Sequence, residues 1–267
     1  MHTYRGTTSL VTGASRGLGT AYADELARRG SDLVLVARSA TALDEVATRL
    51  RATHDVAVTT LAADLTDREQ VTSLLHDLDA AAPIDLLVNN AGMGPAGPFL
   101  DRPLEPAQLS VDLNVSALMT LTHAFGVRMV ARGRGGILNV ASTAAFQPMP
   151  YQAGYAATKA FVLSFTEALA EELRGTGVHA MAAHPGATET TFFEGTSHTM
   201  DPRITDSPAD VARRTLDDFA RGRSASYPGR LLSQVSSRVH RFLPRSTTVR
   251  LAGRINRMLG LDAVRAA

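Results

Sequence analysis

The chain has 267 residues, a formal net charge of +1, 45 % hydrophobic residues and 20 % charged ones. That length and balance suit a single globular α/β unit, and a charge so near zero gives no reason to expect nucleic acid as a partner. There is no cysteine, hence no disulfide framework, thiolate metal site or cysteine nucleophile; no apolar run reaches the length of a spanning helix, and the opening "MHTYRGTTSLVTG" lacks the apolar run of a signal peptide, so a cytoplasmic location is expected.

"TSLVTG" (8–13) is a short apolar run closed by glycine and reads as a buried strand. A helix follows over 17–29, with Leu18, Ala21, Tyr22 and Leu26 on one face. The pattern then alternates: strand 31–38, helix 41–52, strand 56–65, helix 67–79, strand 84–92. A helix over 107–131 is expected to break near Asn114, and strand 135–142, helix 152–174 and strand 178–186 complete the series. Each strand is apolar throughout, which marks a parallel sheet covered by helices on both faces. Right-handed crossovers make it a doubly wound sheet. One dinucleotide-binding and catalytic domain is expected over 1–228, followed by a basic amphipathic extension over 229–267.

Two stretches leave this rhythm. Residues 188–208 are polar, carry Phe192 and Phe193, and have no clear period; so long a loop beside a strand end is usually functional or disordered. From Arg230 onward eight arginines face one acid, Asp262, and apolar residues fall at helical spacing: Leu231, Leu232, Val235, Val239, Phe242 and Leu243, then Leu251, Ile255, Met258 and Leu259. These basic amphipathic segments suit a packed helix with a solvated basic face. The competing reading is a contact with anionic lipid or an acidic partner. The packed helix is the expectation, with a membrane surface the less favoured partner.

"TGASRGLG" (12–19) follows the first strand and opens the first helix. Gly13, Gly17 and Gly19 suit a tight turn and a close backbone approach. With Ser15 and Leu18 they are candidates to hold a pyrophosphate on the helix N-terminus, where free N–H groups favour anions, and Arg16 could close on a cofactor 2′-phosphate. The same stretch contains G-x-S-x-G centred on Ser15, the pattern of a hydrolase nucleophile elbow. Position argues against that reading, because such elbows come after several strands and this one follows the first. Strand two ends in Arg38, where an acid would select NAD(H). An arginine there can pair with a 2′-phosphate, so NADP(H) is expected over NAD(H). Asp64 and Leu65, at the end of strand three, are candidate adenine contacts, although Asp64 or Asp67 could instead cap the next helix.

"GYAATKAF" (154–161) holds the only lysine of the chain, Lys159, four residues after Tyr155, against 26 arginines elsewhere. The pair lies on one helix face. A nearby ammonium favours phenolate, so Lys159 is expected to lower the Tyr155 pKa toward the range of a useful acid–base group. With "TGASRGLG", "NNAG" (89–92), Asn114, Ser142 and "PGATET" (185–190), in this order, the sequence resembles the short-chain dehydrogenase/reductase family over residues 8–190.

The resemblance implies a Rossmann fold and a ketoreductase-like enzyme acting on a small-molecule carbonyl or alcohol substrate. It implies Tyr155 as acid/base, Ser142 as hydrogen-bond donor to the substrate oxygen, Asn114 as anchor of a water relay, and Lys159 as the residue holding the nicotinamide ribose. Asn90, Ala91 and Gly92 would form a cofactor wall. Pro185 and Gly186 would approach the nicotinamide, with Thr188 or Thr190 at its carboxamide. A homo-oligomer, dimer or tetramer, is also implied. The ending departs from the family pattern: "SASYPG" (224–229) is a poor last strand, and the basic tail puts the tetramer in question. Met93, Phe146, Pro148, Met149, Tyr151, Phe192 and Phe193 flank the site and suggest an apolar pocket for a hydrophobic carbonyl. The eight histidines form no metal spacing. The reading from another class is a dinucleotide-binding module without catalysis.

Overall fold

The computed structural model describes residues 3–79, 82–188, 205–230 and 244–263. Seven parallel strands form one sheet in the order β3-β2-β1-β4-β5-β6-β7. They are β1 (Thr8–Thr12), β2 (Asp32–Ala37), β3 (Val58–Ala62), β4 (Leu86–Asn89), β5 (Gly135–Val140), β6 (Val178–Ala183) and β7 (Ala225–Ser226). The helices are α1 (Gly17–Arg28), α2 (Ala40–Thr53), α3 (Arg68–Asp79), α4 (Glu105–Val111), α5 (Leu118–Arg132), α6 (Ala153–Glu172), α7 (Pro208–Ala220) and α8 (Arg245–Met258). This is a doubly wound, Rossmann-like α/β fold.

Strand residues alternate between two cores, as a pleated strand requires. Val11, Leu33, Leu35, Val88 and Met181 pack with α1, α2 and α7 on one face. Leu10, Val34, Val36, Leu87 and Ile137 pack with α3 and α5 on the other. The register sets Leu10 beside Leu87 and Val11 beside Val88. The strand order reverses between β1 and β4, so the carboxyl ends of these two strands flank the crevice where doubly wound folds place their ligands.

The expected break near Asn114 is a turn of π-helix, Asp112–Ala117, joining α4 to α5. Such turns shift the register of side chains and often mark functional sites. The poor last strand is a two-residue edge strand, with Ala182 beside Ala225 and Ala183 beside Ser226. Helix α7 is absent from the sequence reading, although its Val211, Ala212, Thr215, Leu216 and Phe219 are buried at helical spacing. The segment 231–243 and most of the 188–208 loop lie outside the described residues, including Thr190, Phe192 and Phe193. No described helix is long and apolar enough to cross a membrane.

The C-terminal helix corrects one expectation. α8 meets the body through Thr248, Ala252, Gly253 and Asn256, its small and polar face. Leu251, Ile255 and Met258 are exposed instead. Its packing is fixed by particular contacts: Asn256 Nδ2 donates to the Pro150 carbonyl at 2.7 Å and the Arg257 guanidinium to the Tyr151 hydroxyl at 3.2 Å.

Candidate active site

The glycine loop forms the first wall of the crevice. Gly13 and Gly17 sit at φ +66° and +56°, the left-handed region that glycine enters without a Cβ clash. A Cβ on Gly19 would stand 2.0 Å from the Gly13 carbonyl oxygen, so only glycine lets the helix close on the turn. No side chain caps the N-terminus of α1. Its first-turn N–H groups are therefore without a side-chain acceptor, as an anion site requires. Leu18 is part-buried against the core. Ser15 is part-buried and Arg16 exposed.

The second wall is stitched to the first. The Thr12 hydroxyl accepts from the Asn90 and Ala91 N–H groups at 3.0 and 2.9 Å. Asn90 Nδ2 donates to the Thr12 carbonyl at 3.0 Å. Beneath it, Asn89 Nδ2 donates to Thr122 Oγ1 and Asn139 Oδ1, and Asn139 Nδ2 to Thr166 Oγ1, a buried polar chain that the sequence reading missed.

Arg38 stands at the end of β2, exposed and without an ion pair among the described residues. Asp67 caps α3, accepting from the Glu69 N–H at 2.9 Å. Asp64 accepts from the N–H and hydroxyl of Thr66 at 2.9 and 2.7 Å. The Leu65 side chain is buried in the core, which leaves its backbone as the part that could face a ligand.

Lys159, Tyr155, Ser142 and Asn114 converge at the carboxyl ends of β4 and β5. Ser142 caps the 3-10 turn Thr143–Phe146, its Oγ accepting from the Ala144 N–H at 3.1 Å. The Ser142 hydroxyl acts on Tyr155 as a polar neighbour that favours the phenolate. Lys159 is 4 % exposed, and its Nζ donates to the Val140 carbonyl at 2.7 Å. Asn114 Nδ2 donates to the Met93 carbonyl at 2.8 Å and to Thr158 Oγ1 at 2.9 Å, while its Oδ1 accepts from the Met93 N–H at 3.0 Å. A Cβ on Gly92 would stand 3.1 Å from Asn114 Oδ1 and 3.5 Å from Lys159 Nζ, so the glycine keeps open the space in front of the lysine.

The expected lowering of the Tyr155 pKa is not found in the protein alone. Burial pushes the phenol up to about 12, against the opposing effect of the Ser142 hydrogen bond. Burial also brings Lys159 down to about 8. The ammonium lies 5.9 Å from the centre of the tyrosine ring and is turned to a carbonyl. Desolvation of each group thus outweighs the attraction between ammonium and phenolate.

On the far side, the Thr143 N–H donates to the Pro185 carbonyl at 3.0 Å. Thr188 Oγ1 donates to the Gly186 carbonyl at 3.1 Å. His184, read from sequence only as the end of a strand, is 1 % exposed. Its ring centre is 4.8 Å from that of Phe146 and 5.0 Å from that of Tyr227. Burial pushes its pKa down to about 4, with the Ser142 main chain acting the other way. Pro95, Ala96, Tyr151, Ala153 and Gly154 border an apolar recess of ≈ 40 Å³. That is far below the roughly 300 Å³ of a small-molecule site. Among the described residues no group of three or more His, Asp or Glu could hold a metal ion.

A doubly wound sheet with an uncapped glycine turn at its switch point, and a Tyr–Ser–Lys cluster beside it, defines a dinucleotide-binding enzyme fold. Comparison with known proteins agrees. The sequence pattern described as short chain dehydrogenase matches residues 7–201. The ketoacyl reductase HetN of Nostoc sp. is 35 % identical over 205 residues, which are 76 % of this chain and 69 % of that protein. A short-chain dehydrogenase from Sphingobium yanoikuyae, solved in complex with NADPH, is 38 % identical with a TM-score of 0.78, over 83 % of this chain and 87 % of that one. The bulky-bulky ketone specific alcohol dehydrogenase from Comamonas testosteroni is 31 % identical with a TM-score of 0.76, over 90 % of this chain and 96 % of that one. The chain belongs to the short-chain dehydrogenase family and is an NAD(P)-dependent dehydrogenase/reductase.

Proposed function

We propose that the protein moves a hydride between NADP(H) and a hydrophobic ketone, aldehyde or secondary alcohol, with Tyr155 as the acid/base. The observation that carries this reading is Ser142 beside Tyr155, with the buried Lys159 one helical turn on. Bound, the dinucleotide supplies or takes the hydride at nicotinamide C4. The uncapped α1 N-terminus, with Gly13, Ser15, Arg16, Gly17, Leu18 and Gly19, would hold its pyrophosphate. The space that a Cβ on Gly92 would fill lies before Lys159 and suits the nicotinamide ribose. Asn90 and Ala91 would form the wall beside it. Pro185, Gly186, Thr188 and Thr190 would approach the nicotinamide, with Asp64 and Leu65 at the adenine end.

A phenol near 12 is protonated at neutral pH, which favours reduction. As charge develops on the carbonyl oxygen, Tyr155 gives up its proton and Ser142 donates a hydrogen bond to the same oxygen. Lys159, still largely cationic at pH 7, stabilises the phenolate that remains. Asn114 acts as a positioning residue. Its amide is taken up by Met93 and Thr158, so a water relay from Lys159 would use its main-chain carbonyl. Exposed Arg38 supports NADP(H) over NAD(H), as does the NADPH bound by the Sphingobium relative. The ketone named for the Comamonas enzyme supports a hydrophobic carbonyl substrate. A homo-oligomer is supported by Met119, Val127 and Val130, which are exposed on α5.

NADPH oxidation measured with a panel of apolar ketones and aldehydes tests the reading. Tyr155→Phe is expected to lower turnover by roughly a hundredfold or more. Near-full turnover in that variant would overturn the mechanism. A folded wild-type protein that binds NADPH but oxidises it with no member of the panel would favour the non-catalytic reading.

A further inference from the structure

Helix α8 has its apolar face on the outside. Leu251, Ile255 and Met258 stand at i, i+4 and i+7, the spacing by which a surface helix normally packs on its core. Here they are 48 %, 47 % and 82 % exposed. The inner face is locked by other means. Gly253 brings the helix backbone close to the Pro150 ring, Asn256 is bonded to the Pro150 carbonyl, and Leu261 just past the helix packs with Ala96. Rotating α8 to bury its long apolar side chains would break all three contacts. Phe99, Leu100 and Leu104, which follow Ala96 in the chain, are also exposed, Leu100 at 90 %.

Charge follows the same edge. Arg250, Arg254 and Arg257 are exposed along one flank of the apolar stripe. None has an ion pair among the described residues. Residues 244–263 carry four arginines and one acid in a chain whose net charge is +1.

We propose that α8 is an interfacial helix that seats the protein on an anionic lipid surface. Leu251, Ile255 and Met258 enter the boundary between headgroups and acyl chains, and Arg250 and Arg254 meet acidic headgroups. A second copy of the chain fits this face less well, because an antiparallel two-fold contact through α8 sets one arginine edge against another. An acidic protein would need a groove shaped to the convex stripe. A bilayer boundary accepts the stripe and the charges without one. The packing of α8 on Pro150 and Tyr151, just ahead of α6, would turn the catalytic side of the sheet toward the lipid.

Flotation of the full chain through a sucrose gradient tests this, with phosphatidylglycerol/phosphatidylcholine vesicles in one arm and phosphatidylcholine alone in the other. The wild type is expected to float with the anionic vesicles and to stay behind with the neutral ones. Ile255→Glu with Met258→Glu should abolish flotation. Arg250→Gln with Arg254→Gln should weaken it by about 25-fold, roughly fivefold per arginine. Both double variants should keep wild-type turnover on a water-soluble carbonyl, which reports that they fold. Failure of the wild type to float overturns the proposal. So does unchanged flotation in the glutamate variant, or equal flotation with neutral vesicles. If the wild type does not float and light scattering shows an oligomer that the glutamate variant dissociates, the occupant is a second copy. Flotation is read from the protein band, so its outcome is separate from that of the proposed reaction.

Discussion

Replacing Lys159 by methionine is expected to stabilise the protein when no dinucleotide is present. The ammonium is 4 % exposed and has one protein acceptor, the Val140 carbonyl. Burial takes its pKa from the ordinary 10.5 to about 8. At about 1.4 kcal/mol per pKa unit, keeping that charge buried costs about 3 kcal/mol at pH 7. Losing the bond to Val140 returns about 1 kcal/mol of that, leaving a net gain of about 2 kcal/mol in Lys159→Met. For a chain of this size the gain is a rise of roughly 4–8 °C in Tm. The effect has a pH signature. Between pH 8 and 10.5 the unfolded chain holds the lysine proton and the folded chain does not. Wild-type stability therefore rises with pH through that window, relative to the variant, and falls back as pH drops through it. Thermal and urea unfolding of both proteins, at steps from neutral pH to the upper end of the window, reads the difference. A Lys159→Met protein less stable than wild type at neutral pH, or a difference that does not narrow as pH rises, would refute the reasoning. The same substitution should abolish turnover, the exchange of stability for activity expected of a buried functional charge.

Lys159→Arg keeps the charge but puts a broad planar group where a Cβ on Gly92 would already come within 3.5 Å of Nζ. Turnover is expected to fall by roughly tenfold or more, with a rise in KM for the dinucleotide; steady-state kinetics read both. Arg38→Asp should raise KM for NADPH by roughly tenfold or more and leave that for NADH little changed or improved, and a variant that uses NADPH as well as wild type would remove Arg38 from the cofactor site. His184 is held neutral, with its pKa lowered from 6.5 to about 4. The wild type should therefore lose about 3 kcal/mol as pH falls through that window, because the unfolded chain takes up a proton there and the folded chain does not. His184→Phe should flatten the acid limb in urea unfolding, and an unchanged acid limb would count against the assignment.

The doubly wound order of strands and helices was legible because the central strands are apolar on both faces and most of the helices on one. The candidate cluster was legible through side-chain types at fixed spacing, as with Tyr155 and Lys159, which the fold brings to one place. The direction of the Tyr155 shift was not, because the sequence shows a nearby positive charge and not the burial that raises the phenol. His184 was missed for a related reason: its environment is made by Phe146 and Tyr227, which are distant from it in sequence. The apolar spacing in α8 identified a stripe correctly and misjudged its direction. Periodicity says which residues share a face, while the facing is decided by Gly253 and Asn256 against Pro150.

The Thr12 hydroxyl accepts the N–H groups of both Asn90 and Ala91 and lies 3.4 Å from the Val88 carbonyl to which it can donate, so all of its hydrogen-bonding capacity is engaged between the ends of β1 and β4. Spreading the two central strands at this point would break all three bonds at once, a cost of about 1 kcal/mol for each, so opening of the crevice is expected to come first from the outer segments.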